Sequence, residues 1–402
     1  MEVTKLVRWP RIVIGCAALM MAGVIYTWSI INVPFEEFWD STQLGINFTI
    51  TIIFFCTGGF FSGFISRWVS STIRLLIAAV LLSLSFFISS RLFGGSIIPL
   101  YFAYGVMGGT GIGFTYNTVI STTNAWFPDK QGLCSGILLT SFGLSALILG
   151  RIADIMGHSE AIGWRNTYVI LAIAIAVILL ASSQLVKLPP KGMVFPETIA
   201  KKTLEPISDI KDVPARELIR TPLFYAAFIG TSLIASSGNA AISFARNIVL
   251  DVGASASLAV TMVGILAVFN GGGRIIAGWL YDNVGMRRAQ IIYGATSFIG
   301  PLLVVIALAA DSLFFGIAGI GLCGFSYGYT PTSVSVFTLK FFGPKNFSIN
   351  YGIMNMILLP ASLAATLAGR IKDMTGEFLI AFVILTILSG VGSIIVAIVK
   401  RR

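Results

Sequence analysis

Twelve apolar runs, each close to twenty residues long, leave this chain few folds to choose from. They lie at about 11–33, 44–66, 73–90, 97–122, 132–152, 166–186, 221–246, 257–280, 289–309, 312–339, 347–369 and 377–399. A helix rising 1.5 Å per residue needs about 20 apolar residues to cross the hydrocarbon of a bilayer. Only 11% of the 402 residues are charged, whereas 56% are hydrophobic. A soluble domain carries roughly twice that share of charge. The sequence therefore predicts an all-α membrane protein with twelve transmembrane helices. The longest polar stretch, 187–220, holds five prolines and mixed charge, and reads as a cytoplasmic linker between an N-terminal half (1–186) and a C-terminal half (221–402).

The formal net charge of +10 does not point to nucleic acid, because the basic residues cluster in short loops between the apolar runs. With the N-terminus in the cytoplasm, 20 of the 27 lysines and arginines fall on the cytoplasmic side and six on the other. Positive charge retained inside places both termini in the cytoplasm. Arg8 and Arg11 lead directly into the first run with no small-residue cleavage site, so no removable leader is expected. The four cysteines sit inside apolar runs with no metal-ligand spacing, and the single histidine, His158, falls in a loop. Neither a metal nor a cofactor is expected.

The chain also repeats. ILGRIADIMG from Ile148 returns as LAGRIKDMTG from Leu367, 219 residues later, and each copy follows the fifth run of its half. The preceding loops match too: NAWFPDKQG at Asn124 against LKFFGPKNFS at Leu339. Two like-oriented six-helix halves form the parallel-repeat arrangement known among transporters.

The chemistry centres on Arg274. It lies within LAVTMVGILAVFNGGGRIIAGWL, a stretch with no acidic residue. A guanidinium does not shed its proton to ease burial, and its place in lipid costs at least about 2.5–3.5 kcal/mol. Such a cation belongs in a wet cavity or beside an anion, and a small carboxylate substrate supplies one. Asn270 stands one turn earlier on the same face. It can orient the guanidinium or bind a substrate oxygen. Eight residues separate Arg274 from Asp282 at the cytoplasmic edge, a depth of roughly 12 Å. By the same rise Tyr116, Asn117 and Tyr329 lie near 15 Å, with Tyr327 somewhat further out. These groups are expected to converge on one midplane chamber. Tyr327 and Tyr329, two apart on a helix, do not both face it easily. Tyr26 in the first run is either chamber lining or packing. Asn270 and Asn117 are equally well read as glue between helices. The glycine-rich GVMGGTGIG from Gly105 follows no strand, so close helix packing explains it better than nucleotide binding.

The loop GWLYDNVGMRR adds a second set: Gly278, Asp282, Gly285, Arg287 and Arg288. Gly278 and Gly285 permit close approach and a tight turn. Asp282 can accept from helix N-terminal amides or pair with Arg287 or Arg288. This loop resembles the signature of the major facilitator superfamily. Its first-half counterpart, GFISRWVSSTIR from Gly63, carries Arg67 where that signature has aspartate. The segments GVIYTWSIINVPF, GIGFTYNTVISTTNAWFPDKQGLCSG, FNGGGRIIAGWLYDNVG and KNFSINYG resemble the oxalate/formate antiporter and monocarboxylate transporter branch. The resemblance implies secondary transport of a small organic anion by alternating access, with binding roles for Arg274, Asn270 and Tyr116, and less directly for Asn117, Tyr327 and Tyr329.

Two departures shape the substrate expectation. Oxalate carriers of the branch place a lysine in the eleventh run, where this chain has Leu358. One fixed cation suits one carboxylate, so lactate, pyruvate or formate is expected over oxalate or another dicarboxylate. Animal-type monocarboxylate carriers have an aspartate one turn before the arginine, where this chain has Asn270. With no carboxylate deep in any run, coupling falls to a co-transported proton carried on the acid itself or to an exchanged anion. An enzyme is excluded by the lack of a histidine cluster, paired carboxylates or a Ser/His pair at depth. The expected protein is a monomer of the cell (inner) membrane, with no nucleic-acid partner.

Overall fold

The computed structural model describes residues 5–190, 193 and 212–398, which form helices and turns with no β-strand among them. Twelve helical spans are present, in two six-helix repeats. Seven are single helices as anticipated from hydropathy: Ser41–Ile65, Ser71–Ser89, Gln131–Gly157, Gly163–Leu185, Pro222–Asp251, Met286–Ala309 and Leu379–Ile398. The eighth and tenth, Ala256–Asn283 and Leu313–Phe342, run several residues beyond their apolar cores. Helices prevail because hydrocarbon offers no partner for backbone N–H and C=O groups, so each segment must satisfy its own. Side-chain caps mark several starts. Asp40 and Gln43 form a reciprocal capping box at the second span, and Ser70, Thr221 and Ser255 cap the third, seventh and eighth.

Three spans depart from simple helices. The first begins at Lys5 and tightens into a 3₁₀ turn over Gly23–Thr27. There a Cβ on Gly23 would lie 2.1 Å from the Phe142 carbonyl oxygen, so only glycine allows the contact. The fourth passes from a short helix (Ile98–Leu100) through a π-helical stretch (Tyr101–Gly108) into Gly109–Asn124. The eleventh breaks after Asn355 and resumes at Leu358. Pro360 brings no N–H to the Met356 carbonyl, and its ring crowds that oxygen.

By contacts the chain divides into two compact units. The first holds Met1–Lys130, Ile137–Thr203 and Asn346–Ile353; the second holds Gln131–Gly136, Leu204–Lys345 and Met354–Arg402. The opening residues of the fifth and eleventh spans thus pack with the opposite sequence half. The interior of the first unit is aromatic: Trp28, Phe35, Phe86, Tyr104 and Tyr168 meet ring to ring, and the Tyr168 hydroxyl donates to the Ile31 carbonyl at 2.7 Å. In the second unit one cluster mixes alanines (Ala240, Ala241, Ala245, Ala259) with larger apolar side chains such as Met262 and Phe382, and another holds stacked tyrosines. Large apolar side chains such as Phe61, Phe102, Leu147 and Val268 point outward, as lipid-facing surface requires.

Candidate functional site

Arg274 is 2% exposed. Its Nε donates to Asn270 Oδ1 at 3.2 Å, the contact that a four-residue helical spacing allows. Its backbone carbonyl accepts from Thr332 Oγ1 at 3.3 Å. Glycines bring neighbouring backbones unusually close around this turn. A Cβ on Gly328 would fall 1.9 Å from the Asn270 carbonyl oxygen, and one on Gly273 would fall 2.2 Å from that of Phe325. A Cβ on Gly136 would lie 2.6 Å from the Arg274 carbonyl oxygen. The eighth span is therefore held by backbone contact on both sides, and the Asn270 bond fixes one edge of the guanidinium. The planar fork of such a group matches a carboxylate in two parallel hydrogen bonds.

The two tenth-span tyrosines part ways. Tyr329 is fully buried, stacks on Tyr293 at 4.9 Å and meets Tyr281 edge-on at 5.6 Å. Its hydroxyl donates to the Ala289 carbonyl at 2.8 Å, which makes it part of the interior framework of the second unit. Tyr327 is half-buried. It seats against Gly238 of the seventh span, where a Cβ would meet Tyr327 Cβ at 2.6 Å.

In the first unit, Tyr116 is buried against Phe55 and Phe142 and stacks on Tyr351, whose hydroxyl donates to the Tyr116 hydroxyl at 3.0 Å. Asn117 exchanges two hydrogen bonds with Ser348. Its Nδ2 donates to the Ser348 carbonyl at 2.8 Å, and Ser348 Oγ donates to its Oδ1 at 2.6 Å. Tyr26 is 36% exposed, with its ring edge-on to Phe142. Ser348 and Tyr351 carry no signal in the sequence that would pair them with Asn117 and Tyr116. The pairs are 231 and 235 positions apart, and only the fold joins them.

The signature loop gathers in the second unit. Asp282 accepts from the backbone N–H groups of Gly132 at 3.0 Å and Leu133 at 2.8 Å. It thereby satisfies two donors of the first turn of Gln131–Gly157, where a carboxylate is favoured. Gly278 and Gly132 approach so closely that a Cβ on Gly278 would lie 2.2 Å from the Gly132 carbonyl oxygen. Gly285 has φ +94°, a left-handed conformation natural to glycine, and turns the chain into Met286–Ala309. Arg287 and Arg288 are exposed. A further buried cation, Arg74 of the third span, escaped the sequence reading because its position at the edge of an apolar run looks like an interfacial charge.

Comparison with known proteins gives a consistent result. The model of the Major Facilitator Superfamily matches residues 12–366. An uncharacterised MFS-type transporter of Escherichia coli, YhjX, is 26% identical over 86% of this chain and 84% of its own length. The oxalate:formate antiporter of Oxalobacter formigenes is 25% identical over 86% and 80%. Monocarboxylate transporter 11 of Mus musculus is 25% identical over 81% and 72%. Among solved structures, the transporter FucP in an outward conformation superposes with a TM-score of 0.73 at 13% identity, covering 98% of this chain and all of that one.

Proposed function

The chain belongs to the Major Facilitator Superfamily, and we propose that within it the protein carries small monocarboxylates of the lactate, pyruvate or formate type across the membrane by alternating access. One observation carries the reading. Arg274 is a guanidinium 2% exposed inside a transmembrane helix that brings no acidic residue of its own to that depth, with Asn270 bonded to its Nε edge. In this reading Arg274 binds the carboxylate, Asn270 orients it, and Tyr116 and Tyr327 offer hydroxyls and ring walls. Asn117, Tyr26 and Tyr329 act by holding the surrounding helices. The signature loop of Gly278, Asp282, Gly285, Arg287 and Arg288 serves conformational change rather than binding. The moved species is the acid with its proton or an anion in exchange, since Asn270 offers no titrating group beside the cation. Both termini lie in the cytoplasm, the membrane is the cell (inner) membrane, and the working unit is a monomer with two six-helix halves joined by the 187–220 linker, most of which lies outside the described residues.

A second reading, exchange of oxalate or another dicarboxylate, is favoured by the similarity to the oxalate:formate antiporter. It is opposed by Leu358, which brings no second cation to the eleventh span. Uptake and thermal-shift measurements across one- to five-carbon mono- and dicarboxylates separate the two. Monocarboxylates should rank first in the unsubstituted protein. Arg274→Ala should weaken them at least about 30-fold, the lower end of what removing one partner of a desolvated charge pair costs. Tight oxalate binding without competition from lactate would transfer the case to the second reading, and an unchanged ranking in Arg274→Ala would end both.

A further inference from the structure

Arg274 is not the only buried guanidinium. Arg74, in the first turn of Ser71–Ser89, is 3% exposed and belongs to the first unit. Its hydrogen bonds all come from Nη1, and all go to neutral acceptors: the Ser62 carbonyl at 3.2 Å, Ser62 Oγ at 3.5 Å and Ser348 Oγ at 3.4 Å. Charge-assisted bonds are ordinarily about 2.7–2.9 Å, so none of the three is a full-strength partner. The Nε atom is buried and makes no hydrogen bond. Among the described residues no carboxylate reaches Arg74.

The backbone around it adds positive rather than negative potential. Arg74 sits in the N-terminal turn of the third span, the wrong helix end for a cation. Ser348 lies in the N-terminal turn of Phe347–Asn355. Only the Ser62 carbonyl, in the last turn of Ser41–Ile65, comes from a favourable helix end. One guanidinium and two N-terminal turns against one C-terminal turn make a place where an anion is favoured. Ser348 also connects this place to Asn117, since its hydroxyl accepts from Arg74 and donates to the Asn117 oxygen.

We propose that Arg74 is a second anion-binding group, which takes the carboxylate of a small monocarboxylate when Ser348 releases Nη1, so that the two η nitrogens together form the fork. The identity of the anion rests on the carrier reading above; the existence of the site does not. The ligand class is a small planar oxyanion, and formate is the smallest probe of it.

The test uses the full chain, purified and titrated with formate or chloride at constant ionic strength, with thermal stabilisation as the readout. In Arg274→Gln, where the proposed principal anchor is gone, a weaker saturable formate response should persist. Adding Arg74→Gln should abolish it, and Arg74→Lys in its place should keep it in part. Ser348→Ala removes the hydroxyl that occupies Nη1 and should tighten formate about 2- to 5-fold, as loss of one modest competing hydrogen bond implies. An arginine that only holds helices together gives no tightening. That variant also keeps the proposal testable if Arg74→Gln does not fold. Absence of any formate response in Arg274→Gln, a response indifferent to Arg74→Gln, or equal stabilisation by chloride would overturn the proposal. If Arg274→Gln instead leaves the response at full strength, the principal-anchor reading fails by itself, and the Arg74→Gln single variant then decides the second site.

Discussion

Two places in this molecule do the same mechanical job with opposite chemistry. In the second unit, the start of Gln131–Gly157 meets the last turns of the eighth span. In the first unit, the start of Phe347–Asn355 meets the end of the second span and the turn just past it. The backbone half of each contact is nearly identical. A Cβ on Gly278 would lie 2.2 Å from the Gly132 carbonyl oxygen, and one on Gly63 would lie 2.3 Å from that of Ser348. The polar half differs. Asp282 accepts two N–H groups of the helix start, whereas Arg67, at the matching position, donates Nη2 to the Asn346 side-chain oxygen at 3.0 Å. A carboxylate answers the positive end of a helix directly; an arginine does not, and must find an oxygen on the residue before it. The glycine contact therefore carries the repeat, while the charged residue is a replaceable addition to it.

If that ordering is right, the glycines must show the largest effects and show them equally. Gly278→Ala and Gly63→Ala each drive a methyl group into a backbone carbonyl that has no rotamer by which to escape. Each is expected to cost about 1–3 kcal/mol, the usual range for overpacking, and to lower the midpoint of thermal unfolding in detergent by similar amounts. A tolerated alanine at either position would break the equivalence of the two contacts.

Asp282→Asn comes next. Asparagine keeps one acceptor for Gly132 or Leu133 but turns an N–H group toward the other amide, and it loses the charge that favours a helix start. About 1–2 kcal/mol is expected, in the range of a lost helix cap. Hydrogen exchange at the amides of Gly132 and Leu133 reports the change locally: both should exchange faster in Asp282→Asn, while the start of Phe347–Asn355 stays as it was. Unchanged protection at both amides would mean that the glycine contact alone holds this helix end.

The sequence was enough to read the architecture and half of these contacts. Run length and the 219-residue repeat follow from single-helix physics or from pattern, and the twelve spans lie close to where hydropathy put them. The Arg274–Asn270 pair was legible for the same reason, since four residues along a helix is a fixed geometry. The tightening of the first span was not, because Gly23 answers to Phe142, far away in sequence; the break in the eleventh rests on Pro360, a local signal that hydropathy does not register. Nor were the commitments of Tyr329 to Ala289 and of Asn117 to Ser348. Depth along a helix is readable from residue number, but which way a side chain faces at that depth is decided by partners on other spans. Arg74 was missed on the same ground. Its burial comes from the second span and from the start of the eleventh, and nothing next to it in the chain announces either.

Arg67 should show the smallest effect. It is exposed, and its one recorded bond runs to a neutral amide oxygen on another exposed turn. Such a contact is worth no more than a surface ion pair, so Arg67→Ala is expected to change stability by less than about 0.5 kcal/mol. Arg67→Asp is the sharper version. It places at this turn the residue type found at position 282, and the N-terminal turn of Phe347–Asn355, like any helix start, presents amides that lack an intrahelical partner. A gain in thermal stability would mean that the first-unit contact can be converted to the chemistry of the second, and that the arginine is kept for a reason other than stability. A loss larger than that of Asp282→Asn would mean that the Arg67–Asn346 bond is the principal polar contact of its unit, and the ordering of glycine before charge would then hold on one side of the repeat only.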